Sequence, residues 1–213
     1  VRVSTPKERR LANVLAKMGE TCESLNLSKN VLETTSMIYR NLDGHIDVKG
    51  KSVVCITAAT IYMACKQCDV VRSLEEICRG IVPAKYVKAK TKLAARYYRT
   101  MVMEMGTLKA PVLTMDKYIS KIANMTQTEV RVERLALEIA EKTKDNSISD
   151  GKSPNGIAAA YLYVSSVLLG QSVLQRDVSS VAGVTEVTIR NRCKEILSIY
   201  KISINLRPSL DKK

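Results

Sequence analysis

Aromatic side chains are scarce, because the 213-residue sequence contains no phenylalanine, no tryptophan and a single histidine. Long apolar runs are missing as well: the two most apolar stretches, 53–65 and 156–170, are shorter than the roughly 20 residues that cross a membrane. The first residues carry charges without an apolar segment behind them, so no secretory signal is expected. These absences predict an intracellular protein without a membrane-spanning helix.

Acidic residues are also few: 21 stand against 34 lysines and arginines, which gives a net charge of +13. Division at Gly106 leaves +8 in the first half (18 basic, 10 acidic) and +5 in the second (16 basic, 11 acidic), so the charge does not belong to a tail. The apolar fraction of 46% is enough for a buried core. A basic globular chain attracts polyanions, of which nucleic acid is the first candidate, ahead of acidic proteins and anionic membranes.

No constellation of catalytic or metal-binding residues can be found. Six cysteines are too few for a disulfide scaffold, and reduced thiols are expected inside a cell. Cys65 and Cys68 lack a second cysteine or histidine pair at zinc spacing, so core packing explains them better than a metal site. His45 has no partner motif, and neither paired carboxylates nor a glycine-rich phosphate loop occurs. We expect no enzyme activity, no catalytic residue and no bound metal.

The sequence repeats itself. Gly-Lys-Ser at 50–52 recurs at 151–153, and seven of the 13 positions from 50 to 62 are identical to those 101 residues later. The identities fall on small and apolar residues, which indicates one close-packed central helix used twice. The first copy carries about five extra residues around 82–89. Two domains are therefore predicted, 1–106 and 107–213.

The apolar pattern predicts helices throughout. A stripe at three- and four-residue spacing fills 11–25, and a second helix is predicted over 31–42, ended by the Asp-Gly pair at 43–44. Thr114 and Thr128 stand where N-caps belong, ahead of further apolar positions. Period-two alternation does not extend beyond a few residues. The predicted fold class is all-α, with two similar helical bundles.

The strongest local signal is a helix-turn-helix near the end of the chain. A short helix is predicted over 175–182, and Gly183 supplies the residue after it that tolerates a positive φ. Thr185 is placed to cap a second helix over 186–201. This order of elements is typical of a helix-turn-helix.

The second of these helices separates its two faces at 100° per residue. The face suited to the core consists of Ile189, Cys193, Ile196, Leu197 and Tyr200. The outward face consists of Val187, Arg190, Asn191, Lys194, Ser198 and Lys201. A helix in the major groove uses that chemistry, with an arginine fork for guanine, an amide for adenine and a small aliphatic side chain for the thymine methyl group. A merely solvated helix face is the alternative.

The repeated Gly-Lys-Ser offers candidate phosphate contacts in both copies, Lys51 with Ser52 and Lys152 with Ser153. A serine that caps a helix leaves backbone N–H groups and a positive dipole end beside the lysine. The motif is not a nucleotide-binding P-loop, because no glycine stands five positions before either copy. A plain helix cap is the alternative reading.

A second basic segment, 79–99, contains seven lysines and arginines, three tyrosines and no acidic residue. It suits a phosphate backbone or an acidic protein patch. A solvated helix face explains the same pattern.

Two segments carry a resemblance to a known family. Residues 184–196 and the Gly-Lys-Ser-Pro-x-Gly-x-Ala-Ala-Ala at 151–160 closely resemble archaeal transcription factor B, the archaeal relative of eukaryotic transcription factor IIB. The resemblance extends from about residue 8 to residue 204. It implies two cyclin-like domains of five helices each, the second ending in the helix-turn-helix.

The resemblance also implies a general transcription initiation factor that is not an enzyme. Members of the family bind TATA-binding protein on bent double-stranded promoter DNA, and their second repeat reads the B recognition element, which sets the polarity of the preinitiation complex. The base-reading valine and arginine of the family fall on Val187 and Arg190. Further DNA contacts are expected from Thr185, Thr188, Asn191, Lys194 and Gln175.

The remaining expectations concern partners and location. The family's zinc ribbon and polymerase-reaching segment lie in an N-terminal region outside the resemblance, so no cofactor is expected in this chain and contact with RNA polymerase is expected through that region. The implied location is the archaeal cytoplasm, or the nucleus if the source is eukaryotic. A cyclin-type protein-binding module without sequence-specific DNA binding is the alternative function.

Overall fold

The computed structural model describes residues 5–45, 50–104, 113–144 and 151–199. Within these ranges the chain forms ten α-helices and no strand, which confirms the predicted all-α class. The chain divides into two compact units, Val1–Leu113 and Thr114–Lys213. The predicted division after residue 106 falls outside the described residues and stays a prediction.

Five helices belong to the first unit. Their bounds are α1 (Pro6–Ser24), α2 (Lys29–His45), α3 (Val53–Gln67), α4 (Leu74–Arg79) and α5 (Ala84–Glu104). The central helix is α3, in which every residue from Cys55 to Ile61 is buried. A helix that is buried on all sides needs apolar and small residues on every face, and α3 has them because alanines and threonines alternate with larger apolar residues.

The described residues of the second unit also form five helices. They are α6 (Met115–Met125), α7 (Val130–Lys142), α8 (Pro154–Leu168), α9 (Gln175–Ala182) and α10 (Glu186–Ile199). Its central helix is α8, in which Gly156 to Leu162 are all buried. Ala158, Ala159 and Ala160 are fully inaccessible, and such small side chains let the neighbouring helices approach closely.

The backbone confirms that the two units repeat one design. Helices α3 and α8 have 15 residues each and begin 101 positions apart. Residues with positive φ occur in pairs at the same separation: Asn26 with Gln127, Gly50 with Gly151, and Asp69 with Gly170. The turns before and after the central helix therefore have the same geometry in both units, although the side chains in them differ.

Several predicted helix ends require correction. Helix α2 continues to His45, through the Asp-Gly pair that was expected to end it. The N-cap of α7 is Glu129 and not Thr128, whose hydroxyl lies 2.6 Å from the Thr126 hydroxyl. Thr114, as predicted, is the N-cap of α6. The segment expected to hold the extra residues, 82–89, comprises the turn before α5 and the first turns of that helix.

Candidate nucleic-acid interface

Helices α9 and α10 are joined by a turn of three residues, 183–185. Gly183 has φ 65° and ψ 34°, the left-handed conformation predicted for it. Its N–H donates to the Ser180 carbonyl at 3.3 Å, and the Val184 N–H donates to the Ser179 carbonyl at 3.1 Å. These bonds satisfy carbonyl groups that the end of α9 would otherwise leave without partners. A residue with a Cβ atom would be strained in this left-handed conformation, so glycine is favoured at position 183.

Thr185 caps α10 as predicted. Its Oγ1 accepts a hydrogen bond from the Thr188 N–H at 3.2 Å and lies 2.9 Å from the Thr188 Oγ1. Such a cap satisfies one of the free N–H groups in the first turn. The two threonine hydroxyls, both expected near DNA, are therefore bound to each other in this structure.

The faces of α10 agree with the prediction at most positions. Ile189 and Ile196 are buried, while Cys193 is half-buried. Val187 is 55% exposed. The other exposed residues of the predicted outward face are Arg190, Asn191, Lys194 and Ser198. We call Val187, Arg190, Asn191 and Lys194 the reading face.

One core assignment on α10 was wrong. Leu197, predicted for the core, is 44% exposed. It lies one residue past the buried Ile196, and one residue turns a helix by about 100°, which moves the side chain off the narrow buried stripe. Tyr200 and Lys201 lie outside the described residues.

A close approach between α8 and α10 fixes the position of the reading face. Gly156 is buried, and a Cβ atom placed on it would lie 3.3 Å from the Thr188 Cγ2 and 3.8 Å from the Val184 Cγ1. Most Cβ contacts are longer than the first of these distances. Glycine at 156 thus lets the first turn of α10 pack directly on the start of α8.

A charge cluster joins α10 to the turn before α8 on the flank of the reading face. The Lys152 Nζ lies 3.0 Å from the Glu195 Oε2, and the Arg192 NH1 lies 2.5 Å from both carboxylate oxygens. The hydrogen bond from Lys152 lowers the pKa of the Glu195 carboxyl from its ordinary value, and Arg192 acts in the same direction. We call Lys152, Arg192 and Glu195 the flanking cluster.

The structure therefore brings together two groups of residues that the sequence predicted separately. The Gly-Lys-Ser turn at 151–153 lies beside α10, because Lys152 in that turn contacts Glu195 on the helix. Ser153 is exposed and occupies the N-cap position of α8, but its side chain makes no capping hydrogen bond. Gln175 is the first residue of α9 and is half-buried.

The first copy of Gly-Lys-Ser belongs to the other unit and has different neighbours. The Lys51 carbonyl accepts a hydrogen bond from Arg10 NH2 at 2.9 Å. The Ser52 N–H donates to the Tyr97 hydroxyl at 3.4 Å, and the Ser52 side chain makes no capping bond. Both residues are half-buried. A role for either in phosphate binding stays a prediction.

The basic segment 79–99 spans the end of α4 and most of α5. Its exposed cations on α5 are Lys85, Lys88, Lys92, Arg96 and Arg99. Tyr97 and Tyr98 are half-buried and pack against the core of the first unit, and the Tyr98 ring meets the Tyr62 ring edge-on at 4.9 Å. These two tyrosines therefore contribute to the packing of the first unit.

The cysteines behave as small core residues. Cys65 is fully buried, and burial raises the pKa of its thiol to about 12. Cys68 of the same Cys-x-x-Cys is half-buried, and its Sγ lies 3.4 Å from the Thr34 hydroxyl. In the part of the chain that the structure describes, no group of three or more histidines, cysteines or acidic residues is arranged to hold a metal ion. Among the helices of that part, none is long and apolar enough to span a bilayer.

Comparison with known proteins agrees with the repeat. The sequence model of the transcription factor TFIIB repeat matches twice, at residues 7–96 and 108–199. The chain belongs to the TFIIB repeat family, and its two units have the cyclin-like fold of that family.

Curated relatives match almost the whole chain. Transcription initiation factor IIB of Archaeoglobus fulgidus is 38% identical over 206 residues, which cover 97% of this chain and 61% of the relative. The protein of the same name from Methanosphaerula palustris is 36% identical over 206 residues, covering 97% and 60%. That from Saccharolobus shibatae is 37% identical over 203 residues, covering 95% and 64%. The chain thus spans about three fifths of the length of these relatives.

Proposed function

We propose that this chain is the core of a general transcription initiation factor, which binds TATA-binding protein on promoter DNA and reads the B recognition element upstream of the TATA box. The names of its relatives support the general role. The observation that carries the DNA-reading role is the reading face itself. It presents an arginine, an amide, a lysine and a small aliphatic side chain outward from a single helix.

Each residue of the reading face has a matching partner chemistry in the major groove. The Arg190 guanidinium is suited to guanine O6 and N7, and Asn191 is suited to adenine. Val187 is suited to a thymine methyl group, and Lys194 to a phosphate. In this proposal Thr185, Thr188 and Gln175 act at the margin of the interface. Lys51, Ser52 and Ser153 contribute phosphate contacts, and the Lys152 ammonium group is shared between a phosphate and the Glu195 carboxylate.

The role proposed is binding without catalysis. TATA-binding protein and duplex DNA are the proposed direct partners, and RNA polymerase is the proposed partner of the complete protein. Because the element is read on one side of the TATA box, the bound factor would set the polarity of the preinitiation complex.

A gel-shift titration tests this function. The chain is titrated onto a TATA promoter with and without TATA-binding protein, using an intact and a mutated upstream element. We expect a slower ternary band that weakens when the element is changed. A ternary band that ignores the element would contradict the reading role. The lack of any ternary band at moderate salt would favour the cyclin-type protein-binding module.

A further inference from the structure

The flanking cluster places one acidic side chain between two cations at the edge of the proposed DNA interface. Glu195 lies four residues after Asn191 and directly follows Lys194, so it borders the reading face on α10. Its carboxylate holds both Lys152 from the turn before α8 and Arg192 from α10. All three side chains are partly exposed, with exposed fractions of 30% for Lys152, 22% for Arg192 and 37% for Glu195.

Without Glu195, the charges of Lys152 and Arg192 would add to a surface that is already basic. Arg190 and Lys194 are exposed on the same helix, and neither makes an ion pair with another described residue. Each lysine or arginine that neutralises a phosphate increases affinity for any DNA sequence, because counterions are released whatever the bases are. Such binding gives affinity but no selectivity to a protein that must select one element among many sequences.

We propose that Glu195 is a specificity-determining residue, which competes with DNA phosphate for Lys152 and Arg192 and so limits sequence-independent binding. The contacts of Val187, Arg190 and Asn191 with bases then make up a larger share of the total binding free energy. This inference rests on the proposed function of the reading face. It concerns the contribution of DNA phosphate contacts to the binding free energy, which can be measured on a duplex that lacks the element.

The test is the Glu195→Gln variant, which keeps the shape of the side chain and removes its charge. Binding of the whole chain to a scrambled duplex is measured by fluorescence anisotropy over a range of salt concentrations, without TATA-binding protein. Once Lys152 and Arg192 are freed from Glu195, the slope of log K against log salt should steepen by about one to two units. Each phosphate contact adds roughly 0.9 to the magnitude of this slope. Affinity for the scrambled duplex should rise roughly tenfold at low salt.

A matched control separates this effect from a change in net charge. Glu138 pairs with Lys142 on the exposed surface of α7, so Glu138→Gln removes the same charge from an exposed pair elsewhere in the unit. This variant should leave the slope close to that of the unmodified chain. Adding Lys152→Ala to Glu195→Gln should take back about one unit of the gained slope.

Three outcomes overturn the inference. The first is an unchanged slope in Glu195→Gln with lower affinity for every duplex, which would make Glu195 a structural tether of α10. The second is an equal rise in slope for Glu138→Gln, and the third is the absence of DNA binding by the unmodified chain and by the variant at low salt. Failure of the proposed function can be distinguished from failure of this inference. If the ternary band did not depend on the element, the proposed function would fail, but the salt slope of Glu195→Gln would still be steeper than that of the unmodified chain.

Discussion

Gly156 of α8 lies against Thr188 of α10, so closely that a Cβ atom at position 156 would be 3.3 Å from the Thr188 Cγ2. Thr188 is held in turn, because its N–H and hydroxyl both contact the Thr185 side chain. The first turn of α10 is therefore fixed by a contact on one side and by its cap on the other. The direction of the reading face depends on both.

Gly156→Ala tests the close approach. Alanine in a helix is ordinarily about 0.5–1 kcal/mol more stable than glycine. At position 156 the added methyl group has to displace Thr188, so we expect no gain, or a loss of up to about 1 kcal/mol in the free energy of unfolding. Gly19 in α1 is the control, because nothing lies within 4 Å of its Cβ position, and Gly19→Ala should show the ordinary gain. Urea unfolding of both variants measures the difference, and equal gains would contradict the prediction.

Thr185→Ala tests the cap of α10. Loss of the threonine hydroxyl leaves the Thr188 N–H without its partner, and the expected cost is about 0.5–2 kcal/mol. Ser153→Ala is the matched comparison, because Ser153 occupies an N-cap position without a capping hydrogen bond. It should change stability by less than about 0.5 kcal/mol. Thermal unfolding distinguishes the two, and a comparable loss in Ser153→Ala would show that the serine does cap α8 in solution.

Arg190→Ala tests base reading. If the guanidinium binds a guanine edge, its loss should cost about 1–3 kcal/mol on the intact element and relax the preference at one base pair. Binding to a set of elements changed one position at a time measures this preference. Equal weakening on every element would identify Arg190 as a phosphate contact. Lys194→Ala gives the opposite pattern in this proposal, with uniform weakening and a salt slope shallower by about one unit.

The flanking cluster predicts a dependence of stability on acidity. The Glu195 pKa is lowered in the folded chain, chiefly by Lys152, so the carboxylate stabilises the fold above its unfolded pKa. That contribution is lost as the pH falls through the lowered folded value. We therefore expect Glu195→Gln to be less stable than the unmodified chain at about pH 7, by up to about 1 kcal/mol for a partly exposed pair. The difference should shrink toward acid pH in urea unfolding curves, and a difference that grows would contradict the assignment.

Local sequence signals predicted the parts of the site that local chemistry determines. Gly183, Thr185 and the alternation of buried and exposed positions on α10 all follow from short-range rules, and the structure agrees with them. The repeat at a separation of 101 residues predicted the matched central helices, because a recurring pattern of small and apolar residues indicates a structural unit used twice. Leu197 shows the limit of that approach, because a helical period gives the centre of a buried stripe more reliably than its edge.

The pairings across the second unit were not predictable in this way. Lys152 and Glu195 are 43 positions apart, and nothing in the residues between them marks them as partners. Gly156 looked like one small residue in a run of small residues, and its contact with Thr188 exists because α8 and α10 pack together. The opposite charges of Arg192 and Glu195, three residues apart on a helix, were the one visible signal of the flanking cluster.

The turns that flank α3 match those that flank α8, so either central helix could be placed between the turns of the other copy. Both helices are entered through a left-handed glycine, Gly50 or Gly151, and are followed by a second left-handed residue, Asp69 or Gly170. Recombination between the two halves of the gene would therefore join segments whose left-handed turn residues stand at matching positions. Such an exchange would alter the side-chain contacts wherever the two helices differ, for example at the position that holds Cys55 in one copy and Gly156 in the other. The two copies thus differ in their side chains, while the turns that flank the central helix keep left-handed residues at matching positions.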